Sequence, residues 1–276
     1  MGPPPFSLGA GLKTIIGGIR DTLDDQARRF EQKPLSASVL INSVPKGGTH
    51  LLRNILRMFV PVEQHYHQEF VQLPVLKEHG RSLMSNPPFL VCGHLIFTEQ
   101  TAFMVNKARH ILLVRDPYDW VLARTRFFLS DEFQQPDLEI LKSGFIDIAE
   151  LLNLMIVGSL SKVPSLLDIY SLNAVAWLGT KAHVVRYEDA VAAVKDLDSP
   201  GAEVFFQALF EAAGIDPAPA DWRERVAAGA DRKQSRTARE NLNLAKGMVV
   251  PDVLPDVQKK LVDFSAPGLR ALLGYE

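Results

Sequence analysis

Lys46 sits between a strand-like run and a helix-like one, in residues 43–52, SVPKGGTHLL. Pro45 ends a β ladder, Gly47 and Gly48 let the backbone aim its N–H groups at one point, and Thr49 opens a helix. A helix N-terminus with free amides, reached through glycines and guarded by a lysine, binds an anion, most often a phosphate. A plain strand-to-helix turn with a solvated lysine uses the same residues without any ligand. The nucleotide-triphosphate P-loop, G-x-x-x-x-G-K-[ST], does not fit, because Lys46 precedes the glycines.

Residues 110–128, HILLVRDPYDWVLARTRFF, repeat the order of strand, basic residue and helix. Arg115 falls at the strand end, Asp116 at an N-cap and Pro117 at the first helical position. A guanidinium there forks onto a phosphate bidentately, or else pairs with Asp116 or Asp119 and holds the turn. Farther on, residues 231–241, DRKQSRTAREN, pack Arg232, Lys233, Arg236 and Arg239 without apolar periodicity. They read as a mobile basic loop able to close on an anion, or as a solvated surface. Together the three basic features suggest a ligand with two separated phosphate-like groups.

The elements that must position these groups are legible as alternating runs. SVLINSV (38–44), FLVCGHL (89–95), HILLVRD (110–116) and HVVRYED (183–189) are strand candidates, nearly continuous in Val, Ile and Leu and ending in polar residues. Such strands are covered on both faces, which predicts a single α/β domain with a central, mostly parallel sheet flanked by helices. Ligands of such sheets lie beyond the carboxyl ends of the strands, where Lys46, His94, Arg115 and Glu188 are expected to converge. The helix opened by Thr49 is expected to bury Leu51, Leu52, Ile55, Leu56 and Phe59, with Arg53, Asn54 and Arg57 on its other face. Residues 1–34 read as an N-terminal extension, a flexible tip plus one peripheral helix, ahead of a domain spanning 35–276.

The chain has 276 residues, 47% of them hydrophobic, and a formal net charge of −2. That suits one large domain and supplies no global basic field for nucleic acid or acidic lipid. Cys92 is the only cysteine, so no internal disulfide forms. Neither a secretory leader nor an apolar run long enough for a membrane span is visible, and a cytoplasmic location is expected. No segment near the C-terminus marks a dimer interface, so the oligomeric state is open.

Taken in order, SVPKGGTHLL, HILLVRDPYDWVLARTRFF, VVRYED, SRTAREN and the terminal LLGYE resemble the cytosolic-type sulfotransferases, in a bacterial-like form, that use 3′-phosphoadenosine-5′-phosphosulfate (PAPS). The resemblance runs from about residue 38 to the C-terminus. It implies a P-loop-kinase-like sulfotransferase fold and transfer of a sulfuryl group from PAPS to a hydroxyl or amine of a small-molecule or glycan acceptor, without a metal. It places Pro45, Lys46, Gly47, Gly48, Thr49 and His50 in the 5′-phosphosulfate loop, with Lys46 on the leaving-group oxygen. Arg115 and Arg239 fall on 3′-phosphate ligands, Tyr187 on an aromatic residue near the adenine, and His94 on the catalytic base. The family usually carries a serine eight positions after the strand-end arginine; here that position is Ala123. Arg126, three residues on and on about the same helical face, is expected to compensate, whereas Thr125 points elsewhere. Leu51 replaces a frequent aromatic residue, and the family's Arg-Lys-Gly segment reads Arg239, Glu240, Asn241.

Other chemistries compete. A P-loop nucleotide kinase would bind ATP with Mg²⁺ and need a carboxylate for the metal, and a non-catalytic nucleotide-binding relative would keep the anion sites alone. His65, His67, Cys92 and His94 offer a zinc-like ligand mixture, though their spacing matches no usual zinc signature. The apolar stretches 145–160 and 163–179 form either core or the walls of an acceptor pocket, with Phe127, Phe128 and Phe133 at its entrance.

Overall fold

The computed structural model describes residues 22–276 except 69, 160–162, 235–237 and 246. Four strands, β1 (Val39–Ser43), β2 (Leu90–Gly93), β3 (Arg109–Val114) and β4 (His183–Arg186), lie within or next to the four expected runs. They form one sheet in the order β2-β1-β3-β4, and every pairing is parallel. The register sets Ile41 opposite both Cys92 and Ile111. The four strands thus make the central parallel sheet that their apolar runs predict.

Successive side chains on a strand point to opposite faces, and β1, β2 and β3 use both, whereas β4, at the edge of the sheet, buries Val185 but leaves Val184 exposed, unlike the covered strand its apolar run predicts. Leu40, Val91, Leu112 and Val114 enter one apolar cluster with Trp120, Leu152 and Tyr170. Val39, Ile41, Leu90, Ile111 and Leu113 enter a second with Leu52, Phe206 and Trp222. The helices Pro117–Phe128, Ile148–Val157 and Leu166–Asn173 contribute to the first cluster, and Thr49–Arg57, Pro200–Ala213 and Trp222–Gly229 to the second. Each fully buried Leu or Ile contributes roughly 2 kcal/mol to this sandwich. Residues of the stretches 145–160 and 163–179, among them Leu151, Met155, Leu166 and Tyr170, are core.

The Thr49–Arg57 helix differs from its expected amphipathicity, because Asn54 and Arg57 are buried along with Leu52, Ile55 and Leu56. Two neighbours cause this. The backbone of the Trp222–Gly229 helix comes so close that a Cβ on Gly229 would lie 2.5 Å from the Asn54 carbonyl oxygen. On another side the Leu23–Ala27 helix supplies Asp24, whose Oδ1 accepts from Arg57 Nη2 at 2.7 Å. Leu23 and Ala27 belong to the second cluster. The expected flexible tip, residues 1–21, lies outside the described residues.

β1 has β2 on one side and β3 on the other, so the chains leaving β1 and β3 diverge. A crevice opens at that switch point, beyond the carboxyl ends of the strands. Among the described residues no helix is long and apolar enough to cross a membrane.

Candidate functional site

The loop after β1 is built by three constraints. Gly47 N–H donates to the Val44 carbonyl at 2.9 Å and closes a tight turn. Lys46 adopts φ +65°, the left-handed region that costs a side-chain-bearing residue about 1–2 kcal/mol. Gly48 has φ +98°, and a Cβ there would stand 2.2 Å from the Tyr187 ring. Strain therefore falls on the lysine, while Gly48 admits the ring of Tyr187. The indole N–H of Trp120 donates to the Pro45 carbonyl at 2.6 Å, and Thr49 Oγ1 pairs with Ser43 Oγ at 2.6 Å.

The Lys46 ammonium lies over the Phe127 ring, 3.0 Å from its centre. Burial pushes Lys46 down to about 8, against the pull of Glu132.

Arg115 follows β3, and its guanidinium lies 4.6 Å from the centre of the Tyr187 ring. Its Nε is buried with no hydrogen-bond partner among the described residues, an unmet donor at a strand end. The alternative pairing with Asp116 is not formed. Asp116 caps the Pro117–Phe128 helix by accepting from Tyr118 N–H at 2.9 Å, and Arg270 holds it through Nε at 3.1 Å and Nη2 at 2.9 Å. Glu188 reaches the same region but serves the turn: it accepts from Asp116 N–H at 3.1 Å and from the Tyr275 hydroxyl at 2.7 Å. The C-terminal segment, through Arg270 on Asp116 and Tyr275 on Glu188, thus clasps the end of β3 to the helix that follows β4.

His94 follows β2. Its Nδ1 stands 3.1 Å from both the Ser43 carbonyl oxygen and Ser43 Oγ. A carbonyl only accepts, so Nδ1 carries the proton and Nε2 keeps the lone pair. Burial pushes His94 down to about 4, opposed by the Ser43 carbonyl and reinforced by Lys46, which makes it a neutral imidazole at pH 7. Phe70 packs on it at 5.5 Å between ring centres and on His50 at 5.4 Å.

A group of arginines closes the far side. Arg126 donates to the Pro251 carbonyl and lies 3.8 Å from Asp252, which also pairs with Arg239. Burial lowers Arg126, and so do the nearby charges of Arg239 and Arg115, with Asp252 and Asp119 opposing. Arg232 is engaged by Glu240 at 2.7 Å, and Arg236 lies outside the described residues. Thr125 turns away, its hydroxyl donating to the Val121 carbonyl at 2.8 Å.

One cleft of about 680 Å³ brings these groups together. Lys46, Gly48, Thr49, His50, His94, Arg115, Ala123, Arg126, Tyr187 and Arg239 all line it. Pro45 and Gly47 are not among its lining residues; the Pro45 carbonyl faces Trp120, and Gly47 is buried beneath the loop. Phe127 lines the cleft, whereas Phe128 and Phe133 stack on each other at 4.2 Å outside that lining. Sequence reasoning missed Asp252, Trp120 and Tyr170. The first looked like a loop acid, and the other two lay in patterns that also fit core.

The zinc-like quartet does not assemble. Cys92 is buried in the second apolar cluster, where burial pushes its thiol up to about 11, and His94 is committed to Ser43. His65 and His67 instead meet Asp24, with His65 Nδ1 3.0 Å from Oδ1 and His67 Nε2 3.2 Å from Oδ2. The ligand atoms of these three lie within 4.8 Å of one another. Arg57 already neutralises the carboxylate from 2.7 Å, and His65 Nε2 faces the Val60 carbonyl at 2.8 Å. The cluster acts as an ion-pair clasp between the N-terminal helix and the helix after β1.

No protein-family model matches the chain, and no curated protein matches it. Among solved structures it is similar to the mouse sulfotransferase SULT7A1 complexed with PAP, with a TM-score of 0.51 and 14% sequence identity, over 94% of this chain and 94% of that one. The chain therefore has the sulfotransferase form of the P-loop-kinase-like α/β fold.

Proposed function

We propose that the chain is a PAPS-dependent sulfotransferase, located in the cytoplasm, acting on a hydroxyl or amine of a small-molecule or glycan acceptor. The observation that carries this reading is the meeting of Lys46, neutral His94 and Arg115 in one cleft. A mouse protein of the same fold is complexed with PAP, the desulfated form of such a donor. The cleft volume suits a nucleotide.

The residues fit the donor's two anionic ends. The amides of Gly48, Thr49 and His50 and the Thr49 hydroxyl hold the 5′ end, where the helix N-terminus favours negative charge. Arg115, Arg126 and Arg239 hold the 3′-phosphate, with Arg126 standing in for the hydroxyl that Ala123 lacks. The Tyr187 ring, between Gly48 and Arg115, borders the adenine. When bound, the donor supplies an activated sulfuryl group, whose bond to the 5′-phosphate oxygen breaks as its bond to the acceptor oxygen or nitrogen forms. Lys46 stabilises the charge left on that phosphate oxygen. His94 Nε2 takes the acceptor proton, as a neutral base oriented through Nδ1.

A nucleotide kinase of the P-loop type needs a strand-end carboxylate for Mg²⁺. Asp116 and Glu188, the acids at these strand ends, are held by Arg270 and Tyr275, which favours the metal-free reading. Thermal unfolding tests the choice, because a ligand that binds only the folded state raises Tm. Adenosine 3′,5′-bisphosphate is expected to raise Tm and ATP with Mg²⁺ to leave it nearly unchanged; the reverse order contradicts the proposal.

A further inference from the structure

We infer that Trp120 and Tyr170 are positioning residues, one for each end of the donor site; this rests on the sulfotransferase reading above. Both are fully buried, and their rings meet edge-on at 5.4 Å with an interplanar angle of 79°. Each carries one polar atom that burial obliges to find a partner. Neither uses its own helix. Trp120 Nε1–H crosses to the Pro45 carbonyl at 2.6 Å, and the Tyr170 hydroxyl crosses to the Arg115 carbonyl at 2.8 Å.

The two acceptors are the backbone groups that matter most to the site. The Pro45 carbonyl belongs to the peptide entering Lys46, so the indole fixes the plane from which the left-handed lysine departs. The Arg115 carbonyl belongs to the peptide leaving Arg115, so the phenol fixes the chain from which the guanidinium projects. A shared ring pair therefore sets the distance between the loop after β1 and the end of β3, the two ends that a nucleotide with separated phosphates must span. Arg124 rests on the Trp120 ring at 4.8 Å, a contact that phenylalanine can keep while losing the N–H.

Tyr170→Phe removes one oxygen and Trp120→Phe one donor, and neither introduces a charge. The test is calorimetric titration of the full chain and both variants with adenosine 3′,5′-bisphosphate and with adenosine 5′-phosphate. Loss of one such hydrogen bond corresponds to about tenfold in affinity. Tyr170→Phe is expected to weaken the bisphosphate about tenfold while changing the monophosphate less than twofold. Trp120→Phe is expected to weaken both nucleotides by a similar factor, because it acts at the shared 5′ end. A purely structural role lowers Tm and leaves both affinities of the folded variant unchanged. Bisphosphate binding by the native chain with an unchanged ratio in Tyr170→Phe overturns the inference alone. Absence of bisphosphate binding by the native chain overturns the sulfotransferase reading, and the inference with it.

Discussion

His94 Nδ1 lies 3.1 Å from the Ser43 carbonyl oxygen, so a strand-end carbonyl of β1 decides which nitrogen of the histidine that follows β2 can accept a proton. With the imidazole held down to about 4, the basic form is present through the neutral range. The acid limb of kcat/KM is expected near pH 4, with activity lost as pH falls through that value. His94→Ala is expected to lower turnover by about 10²–10⁴-fold while nucleotide affinity changes little. Full turnover in that variant removes His94 from the proton transfer.

Lys46 sets the opposite limb. The ammonium is the form that stabilises a leaving oxygen, and burial brings its loss down to about 8. On the proposed reading kcat/KM should therefore fall as pH rises through about 8, completing a bell with the His94 limb. Lys46→Ala is expected to abolish the alkaline limb together with most of the turnover. A profile flat from pH 7 to 10 in the native chain contradicts this role.

Asp252 pairs with Arg239 and stands 3.8 Å from Arg126, two of the cations assigned to the 3′-phosphate. A phosphate arriving there has to compete with this carboxylate. Asp252→Asn is expected to tighten adenosine 3′,5′-bisphosphate about threefold to tenfold, a modest gain because the side chain is exposed and screened. Adenosine 5′-phosphate serves as the control and should bind unchanged. Weaker bisphosphate binding would show that Asp252 orients the arginines instead of competing for them.

The clasp at Asp24 makes a stability prediction. Burial alone would raise its carboxyl, but hydrogen bonds from His65, His67 and Arg57 outweigh it and hold Asp24 well below the usual carboxylate range. A depressed folded value means stabilisation that is complete above the unfolded value of about 3.9 and lost as pH falls below it. Asp24→Asn removes the carboxylate that Arg57, His65 and His67 face and is expected to cost about 3 kcal/mol at pH 7. Urea unfolding should show that difference constant from pH 6 to 8 and smaller at pH 3.

The sheet was legible because strands covered on both faces must be continuous in Val, Ile and Leu, and the runs at 38–44, 89–95 and 110–116 combine that continuity with a polar end. The cleft was legible for a related reason: parallel strands deliver their last residues to one edge, so Lys46, His94 and Arg115 could be gathered without knowing the strand order. Arg57 was misplaced because a helix's own periodicity cannot reveal that Asp24, 33 positions earlier in the chain, will be packed against it. The strain at Lys46 was hidden for the opposite reason, since two adjacent glycines drew the left-handed turn to themselves. Trp120 and Tyr170 look like any aromatic core residues until the carbonyls they cross to are known.

Affinity for the donor's desulfated product is the most direct measurement: calorimetric titration with adenosine 3′,5′-bisphosphate, and with ATP plus Mg²⁺, on the native chain and on Arg115→Ala. Preferential bisphosphate binding, weakened at least tenfold by Arg115→Ala, is the expected result. Preference for ATP with Mg²⁺, or no binding of either nucleotide by the native chain, contradicts a PAPS site in this cleft.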